Sequence, residues 1–400
     1  MKMHFLNRLA SLCVLGVGLG CGLVQLASAL PLTPCCITLP GGATVTAFID
    51  LNGLPPPSSY SAPAYAAVSA GAILPGVYPA WCIEEPVGID PGLTYSGGLY
   101  SSCDSALSTP GTWIWNYLAA YHSASELVPV EAWDSLNWIL NHRTGYDWED
   151  VQLALWSFVG GPPSIRPWFF DQTRSANNPN VQKLVTDASA AVSGGWSPAC
   201  GDEIGLLAVI DPGYPGTPNP AVQLLLIEVF TVGHGNAATI GFWHNKNGQA
   251  LVNSFNGGKT SKNLGNWLAS NFGCLFGDLG GKQNSDVAAR FLDYFNVKGT
   301  KTYAQILAGA LACYATSSTL AGGKMAAKYG FDVSSTGVGN KFYNVGSNGA
   351  AIGLANNTSY PVWVLLQAAN HYCSGGKITS IAFNALNNIF DGINSTGDIN

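Results

Sequence analysis

The spacing of apolar and polar positions changes character along the chain. Over residues 43–51, Thr44, Thr46, Phe48 and Asp50 alternate with Val45, Ala47 and Ile49, the period of two that predicts a strand. A shorter strand is predicted over 80–84, just after Pro79. The pattern then lengthens to a helical period over 130–141, with Trp133, Leu136, Ile139 and Leu140, and again over 148–159. Asp147 and Asp150 at the start of the latter resemble a capping box with aspartate in place of glutamate. A helix over 180–192 leads to two β-type runs, 204–210 and 222–232. The Pro- and Gly-rich residues 211–220 between them read as the turn of a closing hairpin. Beyond residue 233 the helical period takes over, at 264–276, 287–295, 303–314, 362–372 and 378–393, with Gly/Asn/Ser loops between. The expected fold class is therefore α+β, β-rich with a helical insertion at first and mainly α afterwards, with a linker at 233–238 and a second domain over 239–400.

The first residues sharpen this picture. Lys2 and Arg8 precede an apolar run over 9–26, which ends in Ala27-Ser28-Ala29, the small-x-small form of a signal-peptidase site. A signal peptide over 1–29 leaves a first domain over 30–232 and implies a secreted, extracellular protein. No later run is apolar enough to span a membrane. Losing Lys2 and Arg8 moves the formal charge from -6 to -8, which argues against nucleic acid as a partner. Eight cysteines follow residue 29: Cys35, Cys36, Cys82, Cys103, Cys200, Cys274, Cys313 and Cys373. In an exported chain they are expected in disulfides. Five precede residue 233 and three follow it, so pairing within each half leaves one over on each side.

The candidate chemistry lies in two short strings, Trp81-Cys82-Ile83 and Val151-Gln152-Leu153-Ala154-Leu155-Trp156. A cysteine thiolate held against a glutamine carboxamide can displace ammonia and store an acyl electrophile, an internal thioester open to an amine or hydroxyl nucleophile. The amide is a poor electrophile, so the pair would need an effective molarity on the order of 10⁵ M. Trp156, one helical turn beyond Gln152, would shield such a bond from water.

These strings resemble the bacterial thioester domain family of surface adhesins. Trp81-Cys82-Ile83 matches its cysteine motif, 151–156 matches its glutamine motif, and Leu136-Asn137-Trp138-Ile139-Leu140-Asn141-His142 resembles the helix that precedes the latter. The likeness covers roughly residues 40–232. It implies a β-rich thioester-type domain with a helical insertion, a Cys82–Gln152 crosslink, and single-turnover capture of a lysine amine on a protein or glycan surface, leaving an isopeptide. The string over 239–251, Thr-Ile-Gly-Phe-Trp-His-Asn-Lys-Asn-Gly-Gln-Ala-Leu, resembles an uncharacterised region of bacterial surface proteins and implies no activity.

Other readings stand beside this one. Cys82 could instead form a disulfide with Cys103, in a non-covalent structural or carbohydrate-binding surface protein. His234 and His244 lack a third ligand at recognisable spacing. Gly257-Gly258-Lys259-Thr260 has Asn253 where a phosphate loop needs glycine and reads as a loop before a helix. Glu84 and Glu85 come without a hydrolase signature. No cofactor is expected.

Overall fold

The structure is a computed structural model that describes residues 37–39, 44–49, 64–69, 76–83, 94–107, 109–121, 130–159, 178–210, 224–321 and 324–399. The expected signal peptide, Glu84, Glu85 and the 211–220 turn lie outside the described residues.

Six antiparallel strands close a barrel in the order β1-β2-β3-β6-β5-β4. They are β1 (Thr44–Ile49), β2 (Ala64–Ser69), β3 (Gly76–Cys82), β4 (Thr94–Ser101), β5 (Glu203–Ile210) and β6 (Leu225–Phe230). Closure comes from β1 pairing with β4, Thr46 opposite Ser96. The hairpin expected at the end of this half is β5 and β6, with Leu206 opposite Ile227. Between β4 and β5 the chain inserts α1 (Trp113–Tyr121), α2 (Val130–His142), α3 (Trp148–Val159) and α4 (Pro179–Ser193). Their apolar faces meet the strand side chains of Trp81, Leu207 and Leu226 in one buried cluster that includes Trp133, Leu136 and Leu155. At α3 the Asp150 N–H donates to Asp147 Oδ1 at 2.8 Å, as a helix start requires. The Asp150 carboxylate instead receives Asn178 and Asn180, which ties α3 to the start of α4.

The second half is predominantly helical. Around α9 (Thr302–Thr316), buried at nearly every position, pack α5 (Ile240–His244), α6 (Lys246–Ser254), α7 (Asn263–Asn271), α8 (Asn284–Phe295), α10 (Val362–His371) and α11 (Ser380–Thr396). A side chain at Gly309 would put its Cβ 2.8 Å from the Phe390 ring, so this glycine lets α9 and α11 approach closely. The Cys274–Cys373 disulfide spans 99 residues and joins the segment after α7 to the segment after α10.

The halves have separate apolar clusters and meet through main chain. Val232 N–H donates to Phe342 O at 2.9 Å, and Ser359 N–H donates to Thr38 O at 2.6 Å. A Cβ on Gly233 would lie 2.3 Å from Gly201 Cα, so the crossing strands of chain require glycine there. No described helix is long and apolar enough to cross a membrane.

Candidate functional site

The two strings do meet. Among the described residues β2 pairs with β3 as far as Ala80, and Ile83 N–H bonds Leu224 on the β6 side. Cys82 turns its own N–H and C=O toward Gln152, which is buried on α3. Cys82 N–H donates to Gln152 Oε1 at 3.1 Å, and Gln152 Nε2 donates to Cys82 O at 2.8 Å. The carboxamide presents the donor and acceptor of one strand residue and satisfies both main-chain groups.

This corrects the expected chemistry. The nitrogen that would have to leave as ammonia is the donor in the 2.8 Å bond, and the oxygen is the acceptor in its partner. The Gln152 carboxamide is thus engaged at both ends by the Cys82 main chain, and the expected thioester, self-acylating single turnover and isopeptide product find no support. Covalent bonding among the described cysteines is disulfide chemistry: Cys274 with Cys373, and Cys103 and Cys200 also bridged. Cys82 is not a disulfide cysteine, so the alternative pairing with Cys103 is corrected too. The amine-bearing partner surface loses its basis. Trp156 sits one turn along α3 from Gln152, half-buried against the first apolar cluster.

The Gln152 arrangement has a twin. β4 pairs with β5 only as far as Leu206 opposite Ser101, and Asn141 of α2 closes the next gap. Glu203 N–H donates to Asn141 Oδ1 at 2.7 Å and Asn141 Nδ2 donates to Glu203 O at 2.8 Å. Asn137, one turn earlier and fully buried, accepts from Gly205 N–H at 2.9 Å and bonds the Ser102 hydroxyl. Three helix amides thus pair with the main chain of the barrel strands.

Beside Cys82 lies a buried charge cluster that the sequence reading missed. Arg143 donates through Nη1 to Glu203 Oε1 at 3.0 Å and through Nη2 to Glu228 Oε2 at 2.8 Å. Trp81 Nε1 donates to Glu228 Oε1, and the Arg143 guanidinium lies 5.9 Å from the Trp81 ring centre. Both oxygens of Glu228 accept, one from Trp81 and one from Arg143. Burial, then the hydrogen bond and charge of Glu228, hold the Glu203 carboxyl well above the usual carboxylate range against the pull of Arg143. One signal was present: Glu228 is a lone charge inside the otherwise apolar run 224–230, and such a group must be paired.

The remaining candidates dissolve into structure. His244 stacks on Phe295 with centroids 3.9 Å apart, and no group of three metal-binding side chains occurs among the described residues. Gly257 to Thr260 forms the loop before α7, as expected.

No protein-family model matches the chain, and no curated protein matches it. Two solved structures are loosely similar. The N-terminal thioester domain of a surface protein from Clostridium perfringens shares 10% identity at a TM-score of 0.26, over 46% of this chain and 97% of that one. The N-terminal domain of the Streptococcus pyogenes pilus tip adhesin Cpa shares 13% identity at 0.26, over 47% and 94%. A likeness this loose assigns neither family nor activity.

Proposed function

We propose that the chain is a non-covalent structural or carbohydrate-binding protein of an extracellular surface, built as two domains joined at 233–238, in which Cys82 and Gln152 form a structural clip. The carrying observation is that Gln152 on Cys82 and Asn141 on Glu203 make the same two-bond contact between a helix amide and a strand's main chain. A repeated device that completes main-chain pairing is a way of fastening helices to a barrel. The low content of charged residues and the disulfides support an exported setting.

The test is Gln152→Ala. It strands a buried N–H and C=O at Cys82 and should cost about 1–3 kcal/mol of stability, read as a lower midpoint in chemical denaturation, while binding of the native protein to whole cells or glycan surfaces stays unchanged below that midpoint. Lost binding with an unchanged midpoint would place Gln152 in ligand contact and overturn the clip.

A further inference from the structure

The string over 239–251 has no part in the clips, yet it builds the wall of a cleft of about 350 Å³ in the second half. Its residues Thr239, Phe242, Asn245 and Asn247 line that space together with Tyr329, Asp398 and Ile399. Phe242 is wedged edge-on against Trp243, Phe331 and Tyr329, with centroids 5.2, 5.6 and 6.0 Å away. Gly248 is required behind it, since a Cβ there would lie 2.2 Å from Phe242 O. The segment that carries Asp398 is tied beside Thr239 by Ala237 N–H donating to Gly397 O at 2.8 Å. The cleft is therefore formed before any ligand arrives.

Its polar groups have a definite complement. Asn245 Oδ1 is spent capping α6, accepting from Asn247 and Gly248 N–H at 2.8 and 3.2 Å. Only its amide N–H donors are left for a ligand. Asp398 Oδ1 is spent on the N–H groups of Thr239 and Ile399, at 3.3 and 3.0 Å, which leaves Oδ2 as an acceptor. No lining residue is cationic, which disfavours phosphate or carboxylate ligands. An alkylammonium would suit Asp398 and the rings but would set a cation against the Asn245 donors. A hydroxyl both donates and accepts. Vicinal hydroxyls can thus give to Asp398 and take from Asn245, while the C–H face of the ring lies on Tyr329 or Phe242.

We infer that this cleft binds a neutral pyranose unit of a surface glycan. The inference rests on the reading of the chain as a non-covalent surface protein for where such a glycan is met. Saturation-transfer NMR and calorimetry on the native chain, with glucose, galactose, mannose, N-acetylglucosamine, cellobiose and choline as probes, test it. At least one sugar should bind saturably, choline should not, and Tyr329→Ala or the exposed Asn247→Ala should weaken the sugar about fivefold to tenfold, with Tyr329→Phe retaining most of the affinity. Asn247→Ala carries the test if Tyr329→Ala does not fold. Sugar binding indifferent to both variants would keep a glycan-binding protein and remove the cleft. Binding of choline alone, or of no probe, overturns the inference. The Gln152→Ala result is independent of all these outcomes.

Discussion

A carboxamide and a pair of carboxyls decide the chemistry at the end of the barrel. Gln152 pairs with the Cys82 main chain, and burial, then the hydrogen bond and charge of Glu228, raises the Glu203 carboxyl above its ordinary range. The groups facing Glu203 are Glu228 and Arg143, with Lys341 from the second half adding a weaker field. Its raised carboxyl has a signed consequence. The folded state holds this proton over a range in which the unfolded chain has lost it, so unfolding releases a proton and raising the pH favours unfolding. The contribution is complete below the ordinary glutamate range and declines as pH climbs above it. In Glu203→Gln the amide can accept from Arg143 and donate to Glu228 without titrating. Denaturation midpoints at pH 5 and pH 8 should therefore differ less in this variant than in the parent, and equal differences would show that Glu203 holds no proton.

At the scale of elements, the helical insertion is fastened to strand ends by polar side chains as well as by its apolar face. α2 carries two of these contacts, Asn137 and Asn141, four residues apart and hence on one face. Asn141→Ala removes the partners of the Glu203 main chain and loosens the loop that presents Arg143. It should destabilise by about 1–3 kcal/mol and raise amide exchange at Glu203 above that of the barrel interior. Exchange unchanged at Glu203 would mean that water replaces the asparagine without cost. Helices α2 and α3 were legible because their apolar positions recur at helical spacing. The strands at 64–69 and 94–101 were not, since they are rich in Ala, Gly, Ser and Tyr, which give little period-two contrast.

Across the whole molecule, two apolar clusters meet at a short main-chain seam, and the second is closed by Cys274–Cys373. A bridge over 99 residues restricts the unfolded chain substantially. The double variant Cys274→Ser/Cys373→Ser should lose about 2–5 kcal/mol, with the loss appearing in the helical half's transition in calorimetry. A loss confined to the barrel's transition would contradict the separation of the two clusters. Cys313 is the cysteine left over in this half, as its odd count required; it is buried in α9, and burial pushes its thiol up to about 12.

The sequence by itself determined helices α2 to α4 and the closing hairpin, the change from β-rich to helical near residue 233, and the proximity of Cys82 and Gln152. Each is a property of local periodicity or of a motif that names two residues. Tertiary structure alone decided what that proximity means, because it depends on which main-chain groups the amide faces. It also brought Arg143, Glu203 and Glu228 together across 85 residues, and set the string at 239–251 opposite Tyr329 and Asp398. Sequence spacing carries no record of contacts made through a closed barrel or across a helical core, so the chemistry of these sites is written only in the fold.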